Sequence, residues 1–184
     1  LLKLNGGITD SESARLTPIE TITSGTTAGA VGVAHVANLL GISQCLGLDI
    51  GGTSADVSYV IDEKLGYRFD RDLSGLPMIM PSIDVDSVGA GGGSIAWVDS
   101  GGVLKVGPQS AGADPGAACY GLGGSAPTVT DAYVVCGYID PSYFLGGRMR
   151  LNRDLAVKSI KELGDKLSLD AEQTAEGILK VVTS

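Results

Sequence analysis

Residues 46–60 constrain the fold more than any other stretch. Leu46, Leu48 and Ile50 are apolar and alternate with Gly47 and Asp49, and Val57, Tyr59 and Val60 restart the apolar pattern. Between them lie Gly51, Gly52, Thr53 and Ser54. Two apolar runs around a glycine turn predict a β-hairpin. Asp49 then falls at the end of the first strand, beside the turn. Gly51 and Gly52 lack Cβ, so the backbone can take positive φ and let a ligand approach closely. Successive N–H groups in such a turn form a nest suited to phosphate oxygens. Thr53 and Ser54 add hydroxyl donors, and Asp49 and Asp56 can hold a hydrated Mg²⁺. An ordinary hairpin turn has the same local pattern, so the turn alone does not decide its use.

A chain of 184 residues is long enough for one domain with a real core. Apolar residues make up 43% and aromatics 5%, so that core is aliphatic. Glycine occurs 28 times without a strict period, which fits turns and ligand approach points rather than a collagen-like repeat. Residues 1–147 carry 6 basic and 15 acidic side chains, net −9, and residues 148–184 carry 7 and 6, net +1. No basic patch is present and an acidic surface repels phosphate backbones, so nucleic acid is not an expected partner. Cys45, Cys119 and Cys136 show no C-x-x-C spacing, and His35 is the single histidine. A structural zinc site is not expected. Three cysteines without a framework fit buried thiols in a reducing, cytoplasmic setting. No apolar run reaches the ~18 residues of a membrane span, and no signal peptide is visible. The opening at Leu1, without Met, is expected of a piece of a larger protein.

Along the chain, residues 9–16 predict a short helical turn and 19–23 a short strand. Residues 28–40 give the clearest helix, with Ala30, Val31, Ala34, Ala37 and Leu40 at helical spacing, Thr26 or Thr27 as cap and Gly41 after it. Residues 67–71 read as a strand with Phe69 inward. Residues 76–83, holding Pro77 and Pro81, suit a loop or edge strand. Asp84 and Asp86 alternate along a strand that enters Gly91, Gly92 and Gly93, open to a metal or substrate contact or to a solvated face. Residues 94–98 and 103–106 predict a second hairpin, with Trp97 packed under it. Residues 107–126 predict a loop of functional length. Asp131 reads as a helix N-cap or a site residue. Residues 153–163 and 169–182 predict amphipathic helices, the second capped by Asp170.

The order of a small-residue helix from Ser24-Gly25-Thr26-Thr27 and then Asp49-Ile50-Gly51-Gly52-Thr53-Ser54-Ala55-Asp56-Val57 resembles the second half of actin-like ATPases, where this hairpin is the second phosphate loop. Three further stretches narrow the resemblance. They are Val88-Gly89-Ala90-Gly91-Gly92-Gly93-Ser94, Gly107-Pro108-Gln109-Ser110-Ala111-Gly112-Ala113-Asp114-Pro115-Gly116, and Pro127-Thr128-Val129-Thr130-Asp131-Ala132. Together they are similar to the hydantoinase A/5-oxoprolinase family, which includes the nucleotide-binding subunit of acetone carboxylase. The likeness runs from about Asn5 to about Gly146. It departs at Asp86, where the family often has His, and at Thr26 and Thr27, where it often has Pro and Ala.

The resemblance implies an α/β chain, residues 1–184 forming one partial actin-like (ribonuclease H-like) ATPase domain with a mixed sheet, packed helices and glycine-rich insertions. It implies an ATP- and Mg²⁺-dependent hydrolase that opens cyclic amides such as hydantoin or 5-oxoproline. The ring amide oxygen is phosphorylated and water then attacks the activated carbon. Gly51, Gly52, Thr53 and Ser54 would hold phosphate, Asp49 would orient Mg²⁺-bound water with Asp56 as a further metal ligand, and Asp131 would join Asp49 in catalysis. Gly91, Gly92 and Gly93 would lie near substrate. A hydantoinase B-type subunit is the implied partner. The alternatives are the nucleotide-binding subunit of an acetone-type carboxylase and a non-catalytic domain on the actin-like scaffold.

In that family another phosphate hairpin precedes this one and an adenosine-contacting segment follows it, and neither pattern occurs in these residues. The chain by itself should therefore bind Mg-ATP no tighter than about millimolar and hydrolyse none. A calorimetric titration with micromolar affinity would overturn that expectation.

Overall fold

A computed structural model describes residues 1–73 and 75–184. It divides into two compact units. The first comprises Leu1–Asp49 and Asp56–Val88, the second Ile50–Ala55 and Gly89–Ser184. Each has its own core.

The first unit opens with helix α1, Ser11–Leu16, capped by the Asp10 side chain, which accepts from Ser13 N at 2.8 Å. The expected strand at 19–23 is instead a 3-10 turn, Pro18–Thr21. Pro18 supplies a φ already suited to a helical first position. Helix α2, Ser24–Leu40, begins four residues before the expected start. Thr23 is its N-cap and makes no side-chain cap bond. Thr26 and Thr27 lie inside the first turn, so the expected cap does not form; Thr26 Oγ1 donates back to Thr23 O. Gly41 ends the helix at φ +67, as its position suggested.

The hairpin is present as β1, Gln44–Ile50, and β2, Ala55–Ile61. Strands β3, Lys64–Leu65, and β6, Val85–Val88, also pair with β2. Helix α2 packs on this sheet at Gly47. A Cβ there would stand 2.5 Å from Val33 Cγ2 and 2.7 Å from Ser58 Oγ, so the helix and strand meet only because the side chain is missing. Ala30, Ile83 and Val85 form the buried centre. On the other face of β1, Leu46, Leu48 and Ile50 are exposed.

Strands β4, Tyr67–Leu73, and β5, Leu76–Ile83, form a separate antiparallel pair. Its register shifts between Arg68 and Asp70. Phe69 sits in that irregularity and is 64% exposed, not inward as expected. Pro77 and Pro81 fall inside β5, which is tolerable because both strands of a two-stranded sheet are edges.

In the second unit, β7, Ser94–Val98, and β8, Leu104–Ser110, make the expected second hairpin. Trp97 does not pack under it. The ring is half in solvent, and its Nε1 donates to Gly107 O at 2.8 Å. Helices α3, Val129–Val135, α4, Arg153–Gly164, and α5, Ala171–Val182, enclose an aliphatic core that includes Val134, Ile160, Leu163 and Ile178. Asn152 and Asp170 cap α4 and α5. The stretch 107–126 holds the end of β8 and a 3-10 turn, Ala118–Tyr120. No helix among the described residues is long and apolar enough to cross a membrane.

Gly47→Ala forces a methyl into the α2–β1 contact. It should destabilise the chain by about 1–3 kcal/mol in urea unfolding, the usual cost of overpacking. A variant as stable as the parent chain would show that this contact yields.

Candidate functional site

The hairpin loop belongs to the second unit, with Gly91–Gly93. Gly51 N donates to Ser54 O at 2.8 Å and closes the turn. Gly92 N donates to Gly51 O at 3.0 Å and Gly93 N to Gly52 O at 2.6 Å. In a trans peptide the C=O and the following N–H point in opposite directions. With the carbonyls of Gly51 and Gly52 held against Gly92 and Gly93, the N–H groups of Gly52 and Thr53 are turned away from that seat. Both residues are exposed, and among the described residues neither N–H meets an acceptor. The expected use of positive φ does not occur, since neither Gly51 nor Gly52 lies in the left-handed region. Gly52 has another property: a Cβ there would meet nothing within 4 Å, so the outer side of the loop is open.

Gly91, Gly92 and Gly93, expected near substrate, are engaged within the protein. A Cβ on Gly91 would stand 2.6 Å from Gly51 O, and one on Gly93 2.8 Å from Gly52 O. On Gly92 it would stand 2.9 Å from Thr130 Oγ1. Their polar groups are also taken. Gly91 N donates to Ser94 Oγ at 2.9 Å, Gly91 O accepts from Ser94 N, and Gly93 O accepts from Ala111 N at 2.8 Å. Gly92 O accepts from both Thr130 N and Thr130 Oγ1, each at 2.8 Å. These glycines are the seat of the loop, where two backbones approach too closely for side chains.

Asp131 is fully buried. It is not the N-cap of α3 but its third residue, in a capping box with Thr128. Its Oδ2 accepts from Thr128 N, Thr128 Oγ1 and Ala118 N at 3.0, 2.8 and 3.2 Å, and Oδ1 accepts from Cys119 N at 2.8 Å. Four donors on one sealed carboxylate tie the 3-10 turn to the start of α3, and they leave it no open side from which to touch substrate. The structure gives Asp131 a framework role in place of the catalytic one read from sequence. Burial first, then the charge of Asp131, pushes the adjacent Cys119 thiol far above its ordinary value, so it stays protonated and inert.

The metal candidates lie in the first unit. Asp49, exposed, and Asp56, half-buried, line one cavity of about 170 Å³ together with Thr26, Gly29 and Ser58. The Asp49 carboxylate faces Gly29, where a Cβ would stand at an ordinary contact distance of 3.6 Å from its Oδ2. Ser87 Oγ donates to Asp56 Oδ1. Among the described residues no group of three or more His, Cys, Asp or Glu side chains could hold a metal. Two carboxylates suit Mg²⁺, which commonly keeps several waters and completes its shell with phosphate.

Asp84 and Asp86, read as a possible metal or substrate pair, share Arg68 instead. Arg68 Nη2 lies 2.7 Å from Asp84 Oδ1 and 3.0 Å from Asp86 Oδ1. Tyr59 OH donates to Asp84 Oδ2 at 2.7 Å, and that bond raises the phenol above its ordinary value. Thr130 and Ser94, which hold the seat, were not singled out from sequence. The signal for the first was there: Thr128-Val129-Thr130-Asp131 is a capping-box pattern, and such a box fixes where the first turn of a helix points.

A family model described as hydantoinase/oxoprolinase matches residues 1–184. The alpha subunit of caprolactamase from Pseudomonas jessenii is 39% identical over 97% of this chain and 26% of its own length. The solved structure of that ATP-dependent enzyme has a TM-score of 0.76 at 40% identity, covering 89% of this chain and 24% of that one. The 5-oxoprolinase of Saccharomyces cerevisiae is 33% identical over 98% of this chain and 15% of its own. The nucleotide-free structure of acetone carboxylase, from work on ATP-dependent acetone carboxylation, has a TM-score of 0.89 at 33% identity, covering 98% of this chain and 25% of that one. The fold is thus the partial actin-like α/β arrangement expected from sequence, and the chain spans about a quarter or less of these relatives.

Asp131→Ala strips acceptors from the buried N–H groups of Ala118, Cys119 and Thr128. Each orphaned donor costs ~1–3 kcal/mol, so a loss of at least ~3 kcal/mol is expected in urea unfolding. A loss below ~1 kcal/mol would mean that water or a local shift satisfies them.

Proposed function

Because the chain belongs to the hydantoinase/oxoprolinase family, we propose that it supplies the phosphate-holding hairpin of an ATP-dependent enzyme that opens cyclic amides. The observation that supports this reading is the outward aim of the Gly52 and Thr53 N–H groups, set by the seating of the Gly51 and Gly52 carbonyls. Two exposed N–H groups side by side, without a partner among the described residues and with the Thr53 and Ser54 hydroxyls next in sequence, are suited to phosphate oxygens. Asp49 and Asp56 would hold Mg²⁺, which when bound neutralises phosphate charge, and Asp49 would orient a water on it. Catalysis by such groups is mainly positioning and electrostatic stabilisation.

The substrate class follows the relatives. Caprolactamase and 5-oxoprolinase are named for cyclic amides, which supports ring opening of such a substrate; phosphorylation of the amide oxygen is the route we propose for it. The second reading, ATP-dependent activation in a ketone carboxylase, is supported by the TM-score of 0.89 to acetone carboxylase. The caprolactamase relative is one subunit of its enzyme, which supports a partner subunit here; the type we propose for it is hydantoinase B.

The test uses the full-length polypeptide carrying this sequence, with its partner subunit, assayed with ATP against hydantoin, 5-oxoproline and acetone. Asp49→Asn should lower ATP turnover about a hundredfold or more while the melting point is kept. Gly52→Asp adds a charge where no atom is in the way and should abolish ATP binding. Unchanged turnover in both variants would sink the assignment of the loop, and activity on acetone alone would favour the carboxylase.

A further inference from the structure

Thr130 lies one residue from a fully engaged carboxylate and does not belong to the hairpin, yet it reaches the peptide on which the hairpin loop rests. Both its N–H and its hydroxyl donate to Gly92 O. Gly92 in turn donates to Gly51 O, and its neighbour Gly93 to Gly52 O. Thr130 stands in the first turn of α3, where backbone N–H groups have no partner within the helix. That turn cannot drift. Thr128 N and Oγ1 are bonded to Asp131, whose other oxygen holds Cys119 N.

We propose that Thr130 is a positioning residue for anion binding by the hairpin loop. Its two hydrogen bonds fix the Gly92–Gly93 peptide, the N–H of that peptide holds the Gly52 carbonyl, and this carbonyl sets the direction of the Thr53 N–H group. Thr130 touches no ligand in this scheme. Its hydroxyl is needed because a single N–H bond leaves the Gly92 carbonyl free to swing about that contact. Two donors from one residue hold it in a plane. The inference rests on the phosphate-loop reading above.

The experiment measures the dissociation constant of Mg-ATP and the melting point for the full-length protein and four variants. Thr130→Val keeps the shape and loses the hydroxyl, and should weaken Mg-ATP binding about tenfold, the scale of one lost hydrogen bond. Thr130→Ser keeps the hydroxyl and should bind within about twofold of the parent protein. Thr174→Val is the stability control. Thr174 is also buried, and its hydroxyl donates to the backbone O of Asp170, the N-cap of α5, away from the loop, so the substitution should lower the melting point without changing Mg-ATP affinity. Gly52→Asp reports on the loop itself. If Gly52→Asp binds Mg-ATP normally, the phosphate-loop reading falls and the role of Thr130 with it. If Gly52→Asp fails to bind but Thr130→Val binds like the parent protein, the positioning role alone is overturned. An equal loss of affinity in Thr174→Val would also overturn it, by showing that the effect is general destabilisation.

Discussion

The contact between two stretches of backbone, Gly51–Gly52 above and Gly92–Gly93 below, governs the candidate site. The carbonyls of Gly51 and Gly52 accept from the N–H groups of Gly92 and Gly93 at 3.0 and 2.6 Å, an approach that side chains at 91 and 93 would block. The planarity of the peptide does the rest. Once a carbonyl is fixed on one face of the loop, the next N–H is fixed on the other. The loop needs no left-handed residue and no bound partner to present donors; the seat presents them.

The seat has its own support in the second unit. Ser94 holds Gly91, Ala111 holds Gly93, and the first turn of α3 holds Gly92. Beneath these, Asp131 gathers the 3-10 turn and the helix start around one carboxylate. Burying that group is costly unless every lone pair is met, and here four donors meet them. The arrangement concentrates rigidity behind the loop. The hairpin strands carry the two candidate metal ligands, Asp49 and Asp56, within the first unit, where Gly47 makes room for the strand against α2.

The sequence conveyed the elements that local chemistry decides. The hairpin, its loop, the α2 end at Gly41, the second hairpin and the capped α4 and α5 all follow from alternation, glycine and cap residues. Some local readings failed, each for its own reason. Residues 19–23 alternate like a strand, but Pro18 starts a 3-10 turn there. Phe69 falls at a register shift and is left outside. The α2 helix extends back through Thr26 and Thr27, whose hydroxyls could have stopped it. At the site the loop was legible and the roles of its neighbours were not. Gly91–Gly93 and Asp131 look like ligand contacts in one dimension, since small residues and an isolated acid mark binding sites too. Only the three-dimensional pairing shows that their partners are other parts of the same chain. Asp84 and Asp86 were open for the same reason, because Arg68 is sixteen and eighteen residues away in sequence and adjacent in space.

The absence of side chains at Gly91 and Gly93 changes how mutational data on this protein would have to be interpreted. An alanine at either position drives a methyl into a loop carbonyl, so activity would collapse whether or not a ligand ever comes near. Saturation mutagenesis would therefore score both positions as intolerant and draw them into any footprint of the active centre. Gly52 would behave in the opposite way. It has free space around it and would accept small neutral residues, yet on the proposed reading it stands on the surface that would meet the anion. On that reading intolerance to substitution would mark the foundation, and tolerance with a strong dependence on charge would mark the contact.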